Sequence, residues 1–139
     1  VIHFFIAARK MPFRAGELGI FVRHSRAFKE RDTWLWLVQV FTAIVILVCA
    51  FAHVWAVMTN MPIESAKSAA RLHSGWLAFY ALFLPCVVLH TGIGLYRLGV
   101  KFGVCTSGTR QAWTKWAWIG MGAYFLIGVA AIARTWFSA

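Results

Sequence analysis

Three long apolar stretches, separated by short polar connections, dominate the pattern of the chain. They run from Trp34 to Met58, from Gly75 to Val100 and from Trp113 to Phe137. The first has 25 residues and no acidic, lysine or arginine side chain. As a helix with a rise of about 1.5 Å per residue it is ~37 Å long, enough to cross a hydrocarbon core of about 30 Å. The pattern predicts membrane-spanning helices at approximately 34–59, 75–101 and 112–137.

A shorter apolar run opens the chain. It extends from Val1 to Ala8 and meets Arg9, Lys10 and Pro12 too soon to have crossed a bilayer. We expect residues 1–11 to be the end of a helix that begins in a preceding segment of the native protein. Together, the four runs predict an all-α integral membrane helix bundle, with a single transmembrane domain over 1–139.

The composition supports this class and bears on the partners. Hydrophobic residues make up 61% of the chain and charged residues only 13%, which excludes an ordinary soluble domain. The net charge of +10 would suggest nucleic acid in a soluble protein. Here the basic residues lie mostly in the connections, so we expect a lipid bilayer around the protein and no nucleic acid.

The distribution of positive charge predicts the orientation. Seven Lys and Arg residues fall in the first connection and four around the third, against two in the second and one near the carboxyl end. Loops rich in Lys and Arg stay on the cytoplasmic side of a membrane. The 9–33 and 101–112 loops are therefore predicted to be cytoplasmic, and the C-terminus is predicted to lie on the opposite side.

Three histidines, His3, His53 and His90, fall within the apolar runs. An ionisable side chain in a bilayer indicates a functional site, and neutral imidazole is a common ligand of haem iron. A hydrogen bond between helices is the alternative for each of them. Counted from the cytoplasmic ends of their helices, His3 and His90 lie about 12 Å and about 16 Å deep, whereas His53 lies about 28 Å deep. The depths predict a His3 and His90 pair, and a second site at His53 whose partner lies in the preceding segment.

The surroundings of the histidines favour haem over other metal centres. No Asp or Glu lies one helical turn from any of them, which disfavours a di-iron carboxylate site. The three cysteines, Cys49, Cys86 and Cys105, share no metal-ligand spacing, which disfavours zinc. Gly92 and Gly94, which follow His90, would leave room for a flat macrocycle, although glycine also serves helix contacts in membranes.

Cationic side chains stand near both membrane faces. Arg97 and Lys101 on the cytoplasmic side and Arg71 on the outer side could pair with haem propionates, or could be ordinary interfacial cations. Cys49 and Cys86 are expected to be packing residues. The two other histidines, His24 and His73, are expected to be solvated or interfacial.

Three motifs, in order along the chain, resemble those of a known family. HFFIAARKMP at 3–12, DTWLWLVQ at 32–39 and LHTGIGLYRLGVKFG at 89–103 resemble the dihaem cytochrome b anchor of quinol:fumarate reductases, within the succinate:quinone oxidoreductase superfamily. The resemblance implies a five-helix bundle with two haem b groups in the bacterial inner membrane, and hence a periplasmic C-terminus. It also implies menaquinol as the electron donor, partner subunits that carry iron-sulfur clusters and FAD, and a dimer of heterotrimers.

The resemblance also implies roles for individual residues. His3 and His90 match the iron ligands of the proximal haem, and His53 matches one ligand of the distal haem. Trp36, Arg97 and Lys101 match residues near the propionates. Val88 stands where the best-known member has a glutamate proposed to carry protons, so the resemblance does not extend to that route.

Three alternatives stay open at this point. A succinate dehydrogenase anchor would run electrons in the reverse direction. The cytochrome b anchor of another membrane dehydrogenase would keep the haems and change the soluble partner. A haem-free membrane binding or transport protein would use the histidines as hydrogen-bonding or proton-relay groups.

Overall fold

The computed structural model describes residues 2–9, 16–17, 19–20, 22–23 and 31–138. Its helices are α1 at Ile2–Ala8, α2 at Arg31–Met58, α3 at Ser65–Arg71, α4 at Leu77–Lys101 and α5 at Arg110–Phe137. A π-helical turn, Leu72–Trp76, joins α3 to α4. The backbone is also helical at 16–17, 19–20 and 22–23. Because no strand occurs in the described ranges, the predicted all-α class is confirmed.

Three helical segments are long and apolar enough to cross a membrane. They are Arg31–Met58, Ser65–Lys101 and Arg110–Phe137. They cover the three predicted spans except for Thr59, the last residue of the first prediction. Many large apolar side chains on them are exposed, among them Val48 at 66% and Leu126 at 67%. Exposed apolar surface of this extent belongs in contact with lipid or with other apolar helices rather than with water.

The second connection contains a helix that the apolar pattern does not predict. Residues 65–71 have the sequence SAKSAAR, in which Ala, Lys and Arg are good helix formers, although the segment is too polar to stand out by hydropathy. Glu64 precedes it with an extended backbone, and its carbonyl accepts a hydrogen bond from Ser68 N at 3.1 Å. The carboxylate of Glu64 also pairs with Lys67 Nζ at 3.0 Å.

A kink at Ser74 and Gly75 separates this helix from α4. Gly75 has φ of 104°, a conformation that costs glycine little because it has no Cβ. Ser74 is also outside helical geometry, with φ of −80° and ψ of 15°. The kink lets the polar segment 65–71 take a different direction from the apolar helix that follows it.

The chain forms two compact units, 1–40 and 41–139. In the second unit, α4 and α5 pack along the most extensive interface between helices. Two glycines allow their close approach: a Cβ atom at Gly92 would collide with the side chain of Met121, and one at Gly128 would lie 2.5 Å from Leu84 Cδ1. Gly92 therefore serves helix packing, which was one of the two roles open for it.

Replacing Gly128 with valine should destabilise the packing of α4 against α5. The added side chain must displace Leu84, and overpacking of this kind costs about 1–3 kcal/mol. Gly120→Val on the same helix is the matched control, because a Cβ atom there meets nothing within 4 Å. Thermal unfolding of both variants in detergent measures the difference, and equal melting temperatures would contradict the close contact at Gly128.

Candidate functional site

The face of α2 that bears His53 is its most buried side. Thr42, Cys49 and Ala56 on this face are 2%, 7% and 8% exposed. Their spacing of seven residues places them, with His53, along one side of a helix. Side chains of α4 meet this face at two points, each of which involves a histidine.

The first point joins His90 on α4 to Thr42 on α2. Thr42 Oγ1 lies 3.2 Å from His90 Nδ1. In the neutral tautomer that carries its hydrogen on Nδ1, the ring donates to the hydroxyl oxygen and places its lone pair on Nε2. That lone pair is what a metal ligand requires.

The second point joins His53 on α2 to Tyr80 on α4. Tyr80 Oη lies 3.2 Å from His53 Nδ1, so the same tautomer has its lone pair on Nε2. The ring of His53 also contacts Tyr80 edge-on, with centroids 5.8 Å apart, and lies 6.1 Å from Phe83. His90 and His53, on different helices, therefore each have Nδ1 at 3.2 Å from a hydroxyl oxygen of the facing helix.

The two hydrogen bonds lie at different depths. Thr42 and His53 are 11 residues apart on α2, and Tyr80 and His90 are 10 residues apart on α4. At 1.5 Å per residue, the two contacts are separated by about 15 Å along the helices. His53 and His90 therefore lie at different depths along the helices, and their assignment to two separate sites stays a prediction.

A cavity of about 360 Å³ adjoins His53. Charged side chains of the second connection, Glu64, Lys67 and Arg71, line it together with His53. The guanidinium of Arg71 also lies 5.7 Å from the ring centroid of Trp76. The structure thus brings together two residues that the sequence indicated separately, His53 as an iron ligand and Arg71 as a cation on the outer side.

Arg97 and Lys101 follow His90 on α4 but differ in environment. Nη1 of Arg97 is buried and has no hydrogen-bond partner in the part of the chain that the structure describes. Lys101 is exposed, with Nζ 5.6 Å from the ring centroid of Phe102. Buried polar atoms are nearly always hydrogen-bonded, so Arg97 is the better candidate for binding an anionic group.

The other predicted residues lie elsewhere. His3, on α1, is exposed, and Trp36, on α2, is half-buried; both belong to the unit 1–40. The pairing of His3 with His90 stays a prediction. His24 lies outside the described residues, whereas His73 is exposed and its Nε2 lies 3.2 Å from the carbonyl oxygen of Trp136.

Two cysteines lie close to the histidines in the sequence. Cys49 and Cys86 each lie four residues before a histidine, which is about one helical turn. Both are buried with free thiols, as expected for packing residues. In the described ranges, no group of three or more His, Cys, Asp or Glu side chains is arranged to hold a metal ion by itself.

Comparison with known proteins identifies the family. Residues 20–130 match the family model described as the succinate dehydrogenase/fumarate reductase transmembrane subunit. The chain belongs to this family. As a member with three helical segments able to span a bilayer, it is an integral membrane protein.

Named members of the family show how much of the protein this chain represents. The fumarate reductase cytochrome b subunit of Helicobacter pylori is 34% identical over 134 residues, 91% of this chain and 50% of that protein. The fumarate reductase cytochrome b subunit of Wolinella succinogenes is 33% identical over 105 residues, 74% of this chain and 41% of that protein. The chain spans about half the length of the curated relatives it matches.

The residues present in the structure fit a haem. A haem iron needs an imidazole nitrogen with a lone pair. His53 and His90 supply one at Nε2 in the tautomer that donates from Nδ1 to the neighbouring hydroxyl oxygen. A propionate needs cations, and Arg97 has a buried nitrogen without a partner among the described residues.

Replacing Arg97 with methionine should destabilise the native protein, although it removes a buried charge. If an anionic group binds Nη1, the substitution leaves that group buried and unpaired, which costs about 3–5 kcal/mol. Thermal unfolding of the protein purified with its native cofactors measures the effect, with Lys115→Met, at an exposed site on α5, as the control. A more stable Arg97→Met protein would contradict an anionic partner.

Proposed function

We propose that this chain is part of the membrane-anchor cytochrome b subunit of a quinol:fumarate reductase. When bound, two haem b groups would supply one-electron transfer between menaquinol and an iron-sulfur subunit. The proposal assigns fumarate reduction to a partner flavoprotein with FAD. The names of the relatives from Helicobacter and Wolinella support the cytochrome b assignment, and favour fumarate reductase over a succinate dehydrogenase anchor.

The observation that carries the proposal is the matched arrangement of His53 and His90. Each sits on a membrane-spanning helix, and each has Nδ1 in a hydrogen bond with a hydroxyl of the facing helix. The separation of about 15 Å along the helices suits two sites, one towards each membrane face. His90 and His3 would hold the proximal haem iron. His53 would supply one ligand of the distal haem iron.

Cationic and aromatic side chains complete the two proposed sites. Arg97, Lys101 and Trp36 would hold the propionates of the proximal haem, and Arg71 would serve the distal haem from the cavity beside His53. Arg97, Lys101 and Arg71 would place positive charge near the propionate carboxylates in a medium of low dielectric constant, and Trp36 would help to orient the carboxylates.

The charge of the connections supports the proposed orientation. Loops 9–33 and 101–112 would face the cytoplasm, and the C-terminus would face the periplasm of a bacterial inner membrane. The basic first connection would then offer a docking surface for the iron-sulfur subunit on the cytoplasmic side. The resemblance to the dihaem cytochrome b anchors also implies that two heterotrimers would associate as a dimer.

Haem content after single substitutions tests the proposed ligands. The intact complex should contain two b-type haems per anchor in a pyridine haemochrome assay. His3→Ala and His90→Ala should each lose the same haem, seen in a redox titration, and His53→Ala should lose the other. In each case the ratio of haem to protein falls to about half, since one of two bis-histidine sites loses an iron ligand.

His73→Ala is the matched control for these variants. His73 is exposed and contacts Trp136 at the end of α5, so both haems should remain. A wild-type complex without haem would overturn the proposal and favour a haem-free membrane protein. A single haem that survives His53→Ala would show that His53 has another role.

Labelling of single cysteines tests the orientation. In a background without the three native cysteines, Ser138→Cys should react with an impermeant maleimide added to cells whose outer membrane has been permeabilised. Gly108→Cys should react only after the inner membrane is opened, because it lies in the basic third connection. The reverse pattern would contradict the proposed topology.

A further inference from the structure

We infer that Thr42 and Tyr80 are positioning residues that set the tautomer and the electron-donating strength of His90 and His53 as haem ligands. The inference rests on the proposed function, because it concerns how the two imidazoles would bind iron. It adds two residues of this chain to the site, and each acts through a histidine rather than by contact with iron.

The geometry of the two contacts is the basis of the inference. Both place a hydroxyl oxygen 3.2 Å from Nδ1, and both join α2 to α4. A histidine that binds a metal usually donates its other ring N–H to an acceptor, which fixes the tautomer and raises the basicity of the bound nitrogen. A hydroxyl oxygen is a suitable acceptor for that N–H.

Helix packing alone does not require these hydroxyl groups. In the second unit, α4 packs against α5 through glycine contacts with apolar side chains, as at Gly92 and Gly128. A valine at Thr42 or a phenylalanine at Tyr80 would fill similar space and would avoid placing a polar group in a membrane interior. The hydroxyl groups instead stand opposite the two histidines, where each can accept an N–H.

The two contacts differ in their surroundings. Thr42 is 2% exposed, so its contact with His90 is shielded. Tyr80 is half-buried and lines the cavity beside His53. A shielded hydrogen bond is stronger electrostatically than one that competes with water. Loss of the hydroxyl should therefore have the larger effect at His90.

The test measures the midpoint potential and the low-spin EPR signal of each haem in the intact complex. Thr42→Val should raise the potential of the haem bound by His90, because a less basic imidazole stabilises ferric iron less. Tyr80→Phe should do the same for the haem bound by His53, to a smaller extent. For Thr42→Val we expect up to a tenfold change in the ratio of oxidised to reduced haem, about 59 mV for one electron.

Conservative and matched variants distinguish the positioning of a histidine by a hydroxyl group from a general loosening of the helix bundle. Thr42→Ser keeps a hydroxyl and should restore the wild-type potential. Thr59→Val changes a threonine directly after α2 whose hydroxyl donates to the carbonyl of Trp55, and Tyr124→Phe changes a half-exposed tyrosine on α5. Neither control should move a potential or an EPR signal.

The outcomes distinguish this inference from the proposed function. A wild-type complex without haem would overturn the proposed function and this inference with it. Suppose that both haems are present, that Thr42→Val leaves the potential of the His90 haem unchanged, and that Tyr80→Phe leaves the potential of the His53 haem unchanged. The proposed function then stands and the inference is wrong. Equal shifts of both haems in either variant would also overturn it, since they would indicate a loosened bundle.

Discussion

A histidine in a membrane-spanning helix must satisfy its ring N–H without water, and this constraint organises the second unit of the protein. An unpaired polar group in an apolar interior costs several kcal/mol. His90 and His53 each place Nδ1 at 3.2 Å from a hydroxyl oxygen of the facing helix, that of Thr42 or of Tyr80, which can accept an N–H. The pairs fix the antiparallel register of α2 and α4 at two points. They are also compatible, in both imidazoles, with the tautomer that can bind a metal at Nε2.

The helices of this unit are held together in two different ways. Between α4 and α5, glycines remove side-chain volume so that the backbones approach closely. Between α2 and α4, polar side chains reach across and meet at defined atoms. Small residues and interhelical hydrogen bonds are the two means by which helices associate in lipid, where apolar burial gives little advantage. The polar contacts between α2 and α4 are the ones that involve the candidate iron ligands, His53 and His90.

The kink at Gly75 connects the fold to the charge around His53. A straight continuation of α3 into α4 would give one long helix, whereas the positive φ at Gly75 turns the polar segment away from the axis of α4. Glu64, Lys67 and Arg71, which precede the kink, line the same cavity as His53. In the proposed function, that places cations beside the distal haem and at the membrane face where menaquinol would be oxidised.

The sequence by itself determined the class of the protein, because a bilayer admits a long apolar segment only as a helix with all its backbone groups paired. Counting residues along those helices also separated His53 from His90 in depth, since the rise of a helix is fixed. The pattern of apolar residues does not predict the helix at 65–71, because that segment is polar and has the composition of a connection. Only the tertiary structure decided which hydroxyl meets which imidazole. Thr42 and His90 are 48 residues apart, and Tyr80 and His53 are 27 apart. Such partners depend on how each helix is rotated about its axis, and that rotation is set by packing between helices rather than by the apolar length of any one of them.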